Sequence, residues 1–228
     1  MSLKPKKHSE IKKIEAKMKQ SPSKMGSREQ LPPYTMIVCE GVKTEPLYLK
    51  GLVDKINGQY KDIAKEGHIK VYGTGRNTKG LLNFVDRQVK KGYWEKFENI
   101  WLVYDKDDFP MDNFDNTQFS AENRNSNRLK VAWSNESFEL WLLLHFQNYE
   151  ADNGRTAYIE KLNEYLDYSK TREDLYDVIT SEGSLDDAKK RARKMYENFI
   201  ESGISTPSKM VPATRVYELV EELEMYLN

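Results

Sequence analysis

Asp105-Lys106-Asp107-Asp108 follows directly on the apolar run Ile100-Trp101-Leu102-Val103-Tyr104. A short apolar run of this kind reads as a buried strand. Residues two apart in a strand share a face, so Asp105 and Asp107 are expected to point the same way. Asp108 is expected to point away, or to belong to the loop that follows. Glu40 ends a second apolar run, Tyr34-Thr35-Met36-Ile37-Val38-Cys39. In open parallel sheets, ligands bind beyond the carboxyl ends of the strands. If these two strands are neighbours, Glu40, Asp105 and Asp107 converge. Packed carboxylates repel, so either their pKa values rise or a cation sits among them. Oxygen ligands without Cys or His suit Mg2+ or Mn2+ rather than zinc. Such an ion polarises phosphoryl oxygen and lowers the pKa of water, the chemistry of phosphodiester hydrolysis or transfer. The competing reading is a polar loop after a strand.

Other residues have two readings each. Glu139 lies inside an apolar run, where a carboxylate is costly unless paired or on a metal. It is a fourth ligand, an orienting residue, or the partner of an arginine or of backbone donors at a helix start. His145 is six residues further on. At about 100° per residue it faces elsewhere, as a packing histidine. Glu45 either favours the start of its helix through the dipole or reaches the metal site. Lys43 and Lys106 are candidate clamps for phosphate charge, or surface lysines. Residues 73–80 are glycine-rich but lack Gly-Lys-Ser/Thr, so they read as a turn rather than an ATP loop. Arg76 within them is a candidate phosphate contact. The basic run 189–194 reads as a solvated helix face, with a nucleic-acid path as the alternative. Cys39 reads as a small core residue.

The elements that must position these groups can be read in order. Strands are expected at 34–39, 68–72, 100–104 and 129–133. Helices are expected between them, the first capped by Thr44 and ended at Asn57-Gly58, the second capped by Thr78. A short helix is expected near 117–123, and Ser134-Asn135 should cap an apolar helix over 136–146. From Glu150 onward the chain reads as helical throughout. Tyr158, Leu162, Tyr165 and Leu166 form one stripe, Ser184 starts a basic helix, and Pro212 opens the last one. Strand, helix, strand, helix, strand predicts an α/β fold: a parallel sheet with helices on both faces and a C-terminal helical extension.

Totals narrow the class. The 228 residues carry zero formal net charge. Residues 1–30 hold nine Lys/Arg and three Glu, a balance of +6, so the rest stands at −6. A basic arm on an acidic body suits an anionic polymer, or is a solvated leader. We expect residues 1–33 to be a basic, flexible tail and 34–228 a single domain, its core about 34–146 and its helical extension about 150–228. One cysteine, no run near the ~20 apolar residues of a membrane span and no secretory signal lead to the expectation of a soluble cytoplasmic protein.

Glu40-Gly41 after one strand and Asp105-Lys106-Asp107 at the end of another resemble the Toprim signature of topoisomerases, primases and OLD-type nucleases. Three segments resemble the RloB-like family of abortive-infection proteins more closely. They are residues 37–46 (IVCEGVKTEP), 101–110 (WLVYDKDDFP) and 132–146 (AWSNESFELWLLLHF). The likeness covers about 34–146 and extends to Pro212-Ala213-Thr214. Family members often carry Asn before that proline. This chain has Val211, so no role of that Asn carries over. The resemblance implies a Toprim-like core in which Glu40, Asp105 and Asp107 hold Mg2+ or Mn2+. It implies a metal-dependent nuclease acting on DNA or RNA, tRNA included, in phage defence. It also implies a separately encoded ATPase of the ABC/AAA type, since no nucleotide-hydrolysis motif is found here. A non-catalytic nucleic-acid-binding or regulatory module and a primase-like nucleotidyl transferase are the alternatives. Removing one charge from the cluster, by Asp107→Asn, is expected to leave the metal-free protein as stable or more so.

Overall fold

Thr35–Cys39, the first apolar run, is strand β1 and is buried along its whole length. It belongs to a computed structural model that describes residues 30–107, 113–123 and 128–227. All elements named here lie in one compact unit, Pro32–Asn228. Helix α1 (Thr44–Gln59) follows, then β2 (Ile69–Gly73), α2 (Thr78–Lys90) and β3 (Asn99–Asp105). After β3 come α3 (Phe114–Glu122), β4 (Leu129–Asn135) and the short α4 (Glu139–Leu143). The C-terminal part contains α5 (Gly154–Leu162), α6 (Leu175–Glu182), α7 (Leu185–Glu201), a 3-10 turn (Pro207–Lys209), β5 (Ala213–Thr214) and α8 (Val216–Glu224).

Among the described residues the sheet order is β2-β1-β3-β4-β5. The first four strands run parallel and β5 antiparallel, so the fold is α/β, with eight helices among the described residues around a mixed sheet. β1 and β3 are neighbours, with Cys39 opposite Val103. That register brings Glu40 alongside the carboxyl end of β3, where its N–H donates to the Val103 carbonyl at 2.8 Å. Ile37, Val38, Leu102, Trp133 and Trp141 are fully buried and fix the sheet against its helices.

Several local expectations change. Helix α1 runs past Asn57-Gly58 to Gln59, and Thr44 is its first residue rather than its cap. Asn77, not Thr78, caps α2, accepting from the Gly80 N–H at 2.9 Å. Ser134 and Asn135 extend β4 instead of capping a helix. Their side chains go to Thr214 and to the carbonyls of Pro207 and Ser208. The apolar run after them is helical only over Glu139–Leu143.

The C-terminal part is not helical throughout. Pro212 follows a cis bond and leads into β5, and the last helix starts at Val216. Ser184 does cap α7, accepting from the Asp187 N–H at 3.2 Å. On α7, Lys189 pairs with Asp186 and Glu224, Arg193 with Glu221, and Arg191 donates to the Leu144 carbonyl. The basic run is therefore largely committed to this chain's own acids and backbone. No helix among the described residues is long and apolar enough to cross a membrane. The basic leader up to residue 29, and Asp108, lie outside the described residues.

Candidate active site

The loop after the carboxyl end of β1 and the first turn of α1 together carry Glu40-Gly41-Val42-Lys43-Thr44-Glu45. Gly41 leaves room there for the Glu45 head group. A Cβ at this position would meet the Glu45 carboxylate, which accepts from the Gly41 N–H at 3.2 Å. Glu45 sits in the first turn of α1, where the exposed N–H groups and the helix dipole favour a carboxylate. Glu40 Oε2 accepts from the Asp105 N–H at 3.2 Å, and Oε1 accepts from the Thr78 hydroxyl at 3.3 Å. The hydroxyl expected to cap α2 thus serves Glu40 instead.

Asp105 is the last residue of β3. Its Oδ2 accepts from the Phe138 N–H at 3.1 Å, and its Oδ1 is buried with no hydrogen-bond partner. Asp107 lies beyond the strand with φ 48°, in the left-handed region that few non-glycine residues adopt. The two aspartates therefore do not share a strand face. They converge because the chain turns, and both meet Arg155, whose Nη2 lies 3.3 Å from Asp105 Oδ2 and 2.5 Å from Asp107 Oδ1. Arg155 Nε is 3.7 Å from Glu139 Oε2. Glu139 Oε1 also accepts from the Tyr168 hydroxyl at 3.0 Å and lies 3.4 Å from Lys170 Nζ.

These residues line a cavity of about 230 Å³, bordered by Glu40, Glu45, Asp105, Asp107 and Glu139 together with Lys43, Arg155 and Lys170. Five carboxylates face three cations there, a surplus that a further positive partner relieves. The electrostatics agree. Burial raises Glu40 to about 7 against the Asp105 N–H bond that opposes it. Burial, then Glu45 and Glu139, push Asp105 well above the usual carboxylate range. Glu45 is raised chiefly by burial as well. Glu139 goes the other way: burial would raise it, but Ser137, Lys170 and Arg155 together hold it low. For Arg155, burial works against the charge, and Asp105, Asp107 and Glu139 outweigh it.

An all-oxygen donor set with an orphaned, buried Asp105 Oδ1 fits a hard divalent cation in chemical type. As the side chains stand, no three His, Cys, Asp or Glu among the described residues are grouped to hold an ion. Glu40 is turned to its two donors, and Arg155 joins Asp105 to Asp107.

Of the residues singled out from sequence, Glu40, Lys43, Glu45, Asp105, Asp107 and Glu139 come together. Lys106 and Arg76 do not line this cavity. Lys106 Nζ lies 3.4 Å from the Asp107 carbonyl, and the Arg76 guanidinium sits over the Phe84 ring at 5.1 Å. His145 is a packing histidine, as expected, although the helix ends before it, at Leu143. Its ring nitrogens meet the Trp141 carbonyl and the Tyr48 hydroxyl, each at 3.0 Å. Sequence reasoning gave Thr78 only a capping role and missed Arg155, Tyr168 and Lys170, which the tertiary fold brings to the carboxylates.

No curated protein and no solved structure matches the chain. The model of the RloB-like protein family matches residues 35–223. That span starts in β1, takes in every residue lining the cavity and ends in α8. The chain belongs to the RloB-like protein family.

Proposed function

We propose that the protein is a Toprim-like, Mg2+- or Mn2+-dependent nuclease. It hydrolyses phosphodiester bonds of DNA or RNA in phage defence, together with a separately encoded ATPase. The observation that carries this reading is the meeting of Glu40 and Asp105 at the carboxyl ends of neighbouring parallel strands, with Asp105 Oδ1 buried and unpaired beside the cavity. Glu40, Asp105 and Asp107 would hold the ion, with Glu139 and Glu45 next to them. Bound there, the ion supplies Lewis acidity toward phosphoryl oxygen and toward water.

The chain's own residues do the rest. The Phe138 N–H fixes Asp105 through Oδ2, leaving Oδ1 toward a cation. The Asp105 N–H and the Thr78 hydroxyl hold both oxygens of Glu40. A carboxyl with pKa about 7 exchanges a proton or accepts a cation near neutral pH. Lys43 and Lys170 border the cavity and are the cations available to phosphate oxygens.

The test is cleavage of DNA, RNA and tRNA with Mg2+ or Mn2+, with and without the neighbouring ATPase. Metal-dependent cleavage that is lost in Asp105→Ala, with folding intact, is the expected result. The ion pairs of Arg155 favour a second reading, a non-catalytic nucleic-acid-binding or regulatory module in which that network is permanent. Absence of cleavage under every condition, with nucleic-acid affinity equal in wild type and Asp105→Ala, would select it.

A further inference from the structure

We propose that Arg155 is a built-in counter-ion of this site, a positioning residue that a divalent cation must displace from Asp105 and Asp107 in order to bind. The inference rests on the metal-site reading above and adds a competition within it.

Three observations carry it. First, one nitrogen, Nη2, meets both aspartates, and Nε lies near Glu139, so the guanidinium stands among the carboxylates that a metal would use. Second, the fit is incomplete on both sides. Asp105 Oδ1 and Arg155 Nε are each buried without a hydrogen-bond partner, while Asp105 is 8% exposed. A permanent structural pair is expected to satisfy such atoms. Third, the backbone that presents Arg155 is fixed while its side chain is not enclosed. Gly154 has φ +74°, and a Cβ there would press on Glu136 Oε2 at 2.9 Å. The Arg155 N–H donates to the same oxygen at 3.3 Å. The Arg155 side chain is 37% exposed, which leaves it a route to solvent without moving α5. Fixed backbone and releasable head group are what an exchange between a guanidinium and a metal ion requires. The exchange breaks two ion pairs and forms ion–carboxylate contacts, with no change of net proton count on Arg155, since the guanidinium stays charged throughout.

The experiment is Mn2+ titration calorimetry on the 228-residue chain and its Arg155→Gln and Arg155→Lys variants. Arg155→Gln is expected to bind Mn2+ on the order of tenfold more tightly, because no ion pairs have to be broken first. It is also expected to melt lower without metal and to regain more on adding Mn2+ than wild type does. Arg155→Lys keeps the charge and should stay within about threefold of wild type.

Equal or weaker Mn2+ binding by Arg155→Gln, with clear binding by wild type, overturns the counter-ion role and leaves the metal site standing. No binding by any of the three proteins overturns both. If Arg155→Gln does not fold, the wild-type arginine Nε–H resonance decides. Protection without metal that is lost on adding Mg2+ supports exchange, and a signal indifferent to Mg2+ overturns it.

Discussion

His145 and Glu40 are both titratable groups removed from water, and burial moves them in opposite directions. His145 falls from 6.5 to about 4, because burial penalises its cation and Arg191 adds to that, against the opposing hydrogen bond to the Trp141 carbonyl. A depressed histidine contributes stability above pH 6.5 and loses it as pH falls through about 4. At about 1.4 kcal/mol per unit, the loss amounts to roughly 3 kcal/mol. Glu40 rises from 4.5 to about 7, so its contribution is present below pH 4.5 and lost as pH rises through about 7. In the metal-free protein the two slopes partly cancel. Urea unfolding from pH 4 to 8 should therefore show opposite changes: stability rising less steeply with pH in His145→Gln, and more steeply in Glu40→Gln. Parallel curves for all three proteins would refute the assignment. Arg155 also reverses an expectation drawn from charge counting. Asp107 repels its neighbours, but it is paired with Arg155 in a partly exposed bridge. Such bridges contribute about 0–1 kcal/mol, so Asp107→Asn should cost up to about 1 kcal/mol without metal instead of stabilising.

At the scale of elements, the site depends on how closely β2 lies against the turn after β1. A Cβ on Gly73 would meet the Gly41 carbonyl oxygen at 2.7 Å and the Val42 Cα at 3.0 Å. Both are backbone atoms and cannot rotate away. Gly73→Ala should therefore displace the loop that carries Glu40. The expected result is a loss of about 1–3 kcal/mol in denaturant unfolding together with weaker Mn2+ binding. Wild-type Mn2+ affinity in this variant would mean that the loop yields without carrying Glu40 along. The elements also show why the fold was only partly legible. Local pattern found β1 and β3, because each is a contiguous apolar run. It missed β5, two residues long, whose place is set by pairing with Ser134 and Asn135 far away in sequence. It misread Ser134-Asn135 and Thr78 as caps, since a short polar side chain caps a helix or serves a distant partner with the same atoms.

The whole molecule combines an acidic site with a basic leader. Nine of the 36 Lys/Arg lie in residues 1–30. If that leader binds a nucleic-acid backbone, removing residues 1–29 should weaken affinity for any sequence alike and flatten its dependence on salt. An unchanged salt slope would assign phosphate contacts to the folded unit instead. Metal linkage is also a property of the whole. Saturating Mn2+ at about 100 times its Kd should stabilise wild type by about 2.7 kcal/mol. Asp105→Ala should gain far less, and an equal shift in its melting temperature would put the ion elsewhere.

The α/β class, the strand that leads into Glu40, the strand that ends in Asp105, and the family were all legible in the sequence. Those features reside in short contiguous patterns, where alternation, apolar runs and motif spacing leave a local trace. Only the tertiary structure decided that Arg155, 50 residues beyond Asp105, stands among the carboxylates, with Thr78, Tyr168 and Lys170 around them. A lone arginine after a glycine has no signature of its own. Its role follows from the strand order and from where α5 begins, and these are set by packing across the whole chain. The opening stretch thus named the acids, and the fold supplied the cation they meet.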